Sequence, residues 1–162
     1  MAANLLRKYA EHIPIWLAKF LGNLWPPYLG AGIRILYISD DYRYIKVCLK
    51  RTWYNKNYVG TQFGGSIYAM TDPFYMLQLI NNLGSDYIVW DKAASVDFKK
   101  PGKSNLYAEF KIDQKLLDEV ILKTNSQDKY IFDLPVEVKD DAGHLIAQIN
   151  KTLYVRKKLK PF

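Results

Sequence analysis

Hydrophobic residues follow two rhythms along this chain. Near its start, Leu5, Leu6, Tyr9, Ile13, Trp16, Leu17, Phe20 and Leu24 recur three or four positions apart, the spacing that gathers side chains on one face of a helix. An amphipathic helix is therefore predicted over residues 3–22, with Pro14 as a possible break. Trp25-Pro26-Pro27 should end it, and Gly30-Ala31-Gly32 reads as a connecting turn. Such a helix can cover a sheet face or an oligomer interface. Its basic residues Arg7, Lys8 and Lys19 also permit a surface-lying helix or a lid.

The rhythm then changes to alternation. Residues 33–38 read as a strand, Ser39-Asp40-Asp41 as a turn and residues 42–49 as the hairpin partner, in which Ile45, Val47 and Leu49 alternate with Tyr44, Lys46 and Cys48. After a polar, aromatic loop, Ile67, Met70, Phe74, Leu77 and Ile80 return to helical spacing. They predict a long helix from about Gly64 to Asn82, ending near Gly84 and bent just ahead of Pro73. Further strands are expected at 87–99, with Ile88, Trp90, Val96 and Phe98 as packing residues, and at 106–112. Residues 114–124 carry Leu116, Leu117, Val120 and Ile121 and read as an inserted helix. Residues 130–139 and 144–156 form a hairpin closed by Asp140-Asp141-Ala142-Gly143. Helix, hairpin, long helix and later antiparallel strands make an α+β protein, expected to form one domain over residues 1–162.

Composition narrows the function classes. The net charge of +7 suits a phosphorylated ligand, an anionic surface or nucleic acid. Outside the tail Arg156-Lys157-Lys158-Leu159-Lys160 the lysines are scattered, and no nucleic-acid-binding motif is present, so no nucleic-acid partner is expected. A single cysteine, Cys48, excludes an internal disulfide and a cysteine metal cluster. No segment has the apolar length of a transmembrane span, and no signal-peptide pattern opens the chain, so a cytoplasmic protein is expected. His12 and His144 lie far apart and give little support to a metal site. Serine-elbow, phosphate-loop and dinucleotide fingerprints are missing.

Candidate chemistry concentrates at the start of the central helix. Gly64-Gly65 opens it, and backbone N–H groups at a helix start can receive an oxyanion. Asp72 lies seven residues beyond Gly65 among apolar neighbours. A carboxylate in such surroundings is costly unless it is paired or used. A plain tight turn and a helix-bracing acid remain the alternatives.

The order Asn57-x-x-Gly60-Thr61-x-Phe63-Gly64-Gly65, followed by Asp72, resembles the signature of hotdog-fold acyl-CoA thioesterases of the phenylacetate-pathway type. In that family Asn-x-x-Gly leads to His-Gly-Gly, with Asp or Glu nine residues after the His. Asp72 stands nine residues after Phe63, so the register fits, but Phe63 replaces the usual His. The resemblance extends less sharply over residues 33–155 and is nearest to an uncharacterised branch of thioesterase-like hotdog proteins.

The resemblance implies an antiparallel sheet curled around the long helix, an acyl-CoA substrate, a homodimer or homotetramer, and no metal or cofactor, since a thiolate leaves readily. It implies Asp72 as general base or nucleophile and Gly64 as oxyanion donor. Gly65 would allow close approach of the substrate. Asn57 would hold the loop or meet a pantetheine amide, and Thr61 and Gln62 are polar neighbours of Phe63, which can neither give nor take a proton. Lys99, Lys100 and Lys103, around Pro101-Gly102, are candidates for the coenzyme A phosphates, or else a solvated basic turn. The N-terminal helix could then lid an acyl tunnel. Two further readings stand beside hydrolysis: a hotdog protein that binds acyl-CoA or acyl chains without catalysis, and a basic protein of nucleic acid or membrane surfaces.

Overall fold

A computed structural model describes residues 13–158. Two short helices, α1 (Ile15–Leu24) and α2 (Pro26–Ala31), lead into the hairpin β1 (Ile33–Ile38) and β2 (Tyr44–Leu49). Next come α3 (Gly64–Ala69), α4 (Phe74–Leu83), β3 (Tyr87–Phe98), β4 (Leu106–Lys111), α5 (Gln114–Ser126), β5 (Tyr130–Asp140) and β6 (Leu145–Lys157). The six strands form one antiparallel sheet in the order β1-β2-β4-β5-β6-β3. Its inner face wraps the central helical segment, as the α+β hotdog arrangement requires.

Phe74 and Tyr75 of α4 meet Phe110 of β4 at ring-centroid distances of 5.0 and 5.1 Å. Ile67, Met70 and Leu79 complete the helical side of this core, opposite Ile45, Val47, Ile149, Leu153 and Val155. Gln78 is also buried there, with its amide donating to the Phe110 carbonyl at 3.2 Å.

Several expectations are refined. The part of the predicted N-terminal helix before residue 13 lies outside the described residues; within them the helix starts at Ile15, with Pro14 at its N-cap position. Pro26 and Pro27 begin a second helix, because a proline in the first helical turn has no N–H to waste and carries the required φ. Pro73 divides the central helix instead of bending it, so α3 and α4 are separate pieces. That break shifts the helical phase: Tyr75, Gln78 and Leu79 are buried while Leu77 turns outward.

In β3 the expected packing face is wrong for the first half. Tyr87 and Val89 point inward and Trp90 outward, and a register shift between Asp91 and Ala93 then changes the phase. Phe98 is also exposed, whereas Val96 packs against the core. The helix at 114–126 is present. Asp113 caps it by accepting from Leu116 N at 2.8 Å, and it buries Leu117, Val120 and Thr124.

The two sheet edges are treated differently. At the β1 edge, Asn23 of α1 imitates a neighbouring strand: its Oδ1 accepts from Ile35 N at 2.7 Å and its Nδ2 donates to Ile35 O at 3.1 Å. Lys19 adds a bond to Leu36 O at 2.6 Å. The β3 edge pairs with β6 on one side, and among the described residues no strand lies on the other.

Asn23→Ala removes both bonds and uncovers the β1 edge. It should lower stability by about 1–3 kcal/mol, read from urea unfolding, with α1 showing faster amide exchange than the sheet.

Candidate active site

Asp72 lies in the break between α3 and α4. The hydroxyl of the buried Tyr28 donates to its backbone carbonyl at 2.5 Å. Its carboxylate is not bare: Lys151 Nζ stands 2.9 Å from Oδ1. Lys151 comes from the middle of β6, and its side chain is 1% exposed while that of Asp72 is 45% exposed. On the other side of the ammonium, 3.5 Å away, is Oδ2 of Asp91 from β3. The Tyr68 ring lies 5.4 Å from the same nitrogen, within cation–π range. One buried cation therefore serves two carboxylates, so the cluster carries a net charge of −1 when all three are ionised.

Two opposing forces act on Lys151. Burial pulls its pKa down, but the hydrogen bond to Asp72 and the charges of Asp91 and Asp72 outweigh burial, and the net shift is upward. It stays an ammonium. Asp91 moves the other way. Burial pushes its carboxyl up, Lys151 opposes this, and nearby Asp72 adds to the push, for a value of about 6. Among the described residues neither Asp91 oxygen has a hydrogen-bond partner.

At the opposite end of α3, Asn57, Thr61, Gln62, Gly64, Lys99 and Lys100 line one groove of about 380 Å³. Six of the ten residues singled out in the sequence meet there. Asn57 serves the loop: it accepts from Thr61 N at 2.9 Å and donates to Thr61 Oγ1 at 2.8 Å. Gln62 is buried, and its Nε2 donates to Leu49 O at 3.3 Å and Ser104 O at 3.1 Å. Two carbonyls on one side fix the amide orientation, leaving Oε1 buried without a partner among the described residues.

Ser66 and Ile67 N–H groups bond to the Phe63 carbonyl, and Gly64 and Gly65 precede these first helical bonds. Aromatic rings explain the glycine pair. A Cβ on Gly64 would stand 3.1 Å from the Phe98 ring, and one on Gly65 would stand 2.4 Å from the Phe63 ring. Phe63 itself is 55% exposed.

Lys99 is paired with Asp97. Lys100 is free of ion pairs among the described residues and lines the groove. Lys103 is not brought to the groove. It faces the other side of the turn, beside Asp140 and His144. Asp72 is likewise absent from the groove lining, being at the far end of α3.

Lys151, Asp91 and Tyr28 were not singled out in the sequence, although a signal for two of them is there. Lys151 occupies an inward position in the run Ala147, Ile149, Lys151, Leu153, Val155, and Asp91 follows Tyr87 and Val89 in the same phase. A charge in an apolar phase needs a partner.

Residues 16–155 match the family described as Domain of unknown function (DUF4442). The chain belongs to this family. Several of the solved structures that resemble this member of the DUF4442 family are named thioesterases or probable thioesterases. One from Pseudomonas aeruginosa, a protein of unknown function called a probable thioesterase, is 16% identical and covers 90% of this chain and 97% of its own, with a TM-score of 0.77. The Haemophilus influenzae thioesterase HI1161 is 14% identical over 91% of this chain and 94% of its own, with a TM-score of 0.65. The Escherichia coli PaaI protein of the phenylacetic acid degradation operon is 13% identical over 88% and 91%, with a TM-score of 0.59. At these identities the likeness establishes the hotdog fold. No curated protein matches the sequence.

The Asp91 shift has a definite sign. Its folded pKa of about 6 lies above the ordinary value of 3.8, so between these values the folded protein holds a proton that the unfolded chain has released. Asp91 should therefore cost stability as pH rises from about 4 to about 6, by about 2–3 kcal/mol. Asp91→Asn should remove that slope in urea titrations run at successive pH values.

Proposed function

We propose that this protein hydrolyses an acyl-CoA thioester with Asp72 as the general base. The observation that supports this best is the placement of Asp72. A buried lysine holds one carboxylate oxygen at 2.9 Å, and the side chain remains 45% open to solvent. Holding an acid in this way orients its second oxygen toward water. Burying an ammonium to brace a surface acid would be an expensive way to achieve ordinary packing.

In this reading, water gives a proton to the free oxygen of Asp72 and its oxygen attacks the thioester carbonyl. The carbonyl electron pair moves onto oxygen, which the N–H groups of Gly64 and Gly65 receive. When the pair returns, the carbon–sulfur bond breaks. The coenzyme A thiolate leaves and takes the proton from Asp72, and the free acid remains. The groove beside Gly64 would take the pantetheine arm, with Lys100 near the phosphates.

The acid and the glycine N–H groups sit at opposite ends of α3, so the reading favours a site closed by a second copy. The outer side of β3, on which no strand lies among the described residues, is the surface for that pairing, since an exposed strand of this length otherwise invites aggregation. Light scattering at micromolar concentration should give a dimer or a multiple of it; a monomer throughout the range would defeat this assembly.

A second reading is favoured by Phe63: its ring packs over Gly65 where the family's histidine would stand. On that reading the protein binds acyl-CoA and hydrolyses none. Asp72→Asn separates the two. Asp91 still neutralises Lys151 in this variant, so the fold and acyl-CoA binding should persist while turnover drops by about 10²-fold or more. Turnover that survives in folded Asp72→Asn would remove Asp72 from the chemistry. Wild-type binding without hydrolysis over short, medium, long and aromatic acyl-CoAs would establish the silent reading.

A further inference from the structure

A second cavity, of about 420 Å³, lies on the other side of Asp72. Ala18 and Leu21 of α1 roof it, Ile38 and Ile45 of the β1–β2 hairpin form its floor, and Pro73 and Leu77 close one end. Among the described residues no charged side chain lines it. The amide of Asn81 is already committed to Leu77 O at 2.8 Å and the hydroxyl of Tyr28 to Asp72 O, so two of its polar groups are spent within the protein.

The void persists because of how its roof is attached. No residue of α1 is fully buried. The helix is pinned at the β1 edge by hydrogen bonds from Asn23 and Lys19, and Ile15 at its start packs, partly buried, against the core. Gly22 allows the close approach at that edge, where an added Cβ would lie 2.7 Å from Ile35 Cδ1. The roof is thus held at a fixed distance from the floor, and the space beneath is not filled.

We infer that this cavity binds the hydrocarbon chain of a medium-length acyl group, a site built within one copy of the chain. The inference rests on the thioester reading above for the source of the chain. At about 30 Å³ for each small group, the liquid-volume share of a water molecule, the cavity would hold about fourteen such groups if filled without gaps, more than a butyryl or phenylacetyl group supplies, and a chain of about ten carbons fits with slack. The apolar lining rejects the phosphates and amides of coenzyme A. Continuity with the acid comes from two residues: Pro73 directly follows Asp72, and Tyr28 both lines the cavity and bonds the Asp72 carbonyl. A chain lodged there would have its carboxyl end toward Asp72.

The test uses thioethers, which bind without being hydrolysed. Calorimetry on the full chain should show S-decyl-CoA binding about 100-fold or more tighter than S-butyl-CoA, because six further methylenes leave water. Ala18→Phe and Leu77→Phe fill the cavity from opposite walls; each should shrink that preference to about fivefold or less and leave S-butyl-CoA affinity unchanged, with thermal melts confirming the fold. Trp25 also lines the cavity, so S-(10-bromodecyl)-CoA should quench tryptophan emission in the wild type and much less in Trp25→Phe. A flat chain-length dependence in the wild type, or quenching unaffected in Trp25→Phe, would overturn the assignment even if both filled variants failed to fold. Hydrolysis of decanoyl-CoA without chain preference or quenching would keep the chemistry and remove this site. Tight S-decyl-CoA or decanoate binding, with the Trp25-dependent quench and no hydrolysis, would keep the site and remove the chemistry.

Discussion

The architecture turns on one buried ammonium. Lys151 extends from the inner face of β6 into the core, where an unpaired charge is not tolerated. Two carboxylates answer it, one from the interrupted central helix and one from β3. The charge therefore ties three distant parts of the chain to one point. It also sets the character of the helix break: the residues between α3 and α4 present a carboxylate to the sheet at a fixed place. Replacing Lys151 with an apolar residue would leave two like charges facing each other, one of them in a dry site, whereas loss of either acid alone leaves the ammonium with a partner.

From that fixed point the two ends of α3 face different surroundings. One end meets the polar groove bounded by Gln62, Gly64 and Lys100; the other adjoins the apolar space beneath α1. Coenzyme A thioesters have the same division, a polar phosphorylated arm and an apolar chain joined at the reactive carbonyl. The two edges of the sheet show a parallel asymmetry. Asn23 satisfies the backbone of Ile35 at one edge, while among the described residues no strand pairs with the outer side of β3 at the other.

Most elements could be read from periodicity because local signals agreed with the fold. The β2 alternation, the 114–126 helix and the last hairpin are examples. Where Pro73, the Pro26-Pro27 pair and the β3 register shift intervene, phase was lost, since each alters the rotation or pleat that a periodic reading assumes constant. The groove residues were legible as a cluster through Asn57, Thr61, Gln62 and Gly64. Asp72 was legible as an acid out of place, but its partner was not: Lys151 is 79 residues away and meets it only through sheet pairing. Lys103 shows the reverse failure, because neighbours in sequence leave a tight turn in different directions.

The absence of any fully buried residue in α1 has a kinetic consequence. A segment held by a few hydrogen bonds at a sheet edge and by partly buried contacts such as that of Ile15 detaches at smaller free-energy cost than the core unfolds. The space beneath α1 thus exchanges its contents through partial opening of one ten-residue segment while the sheet and the Lys151 cluster stay intact. Residence time there is governed by the fastenings at Asn23 and Lys19, and so can vary independently of equilibrium affinity, which the walls determine.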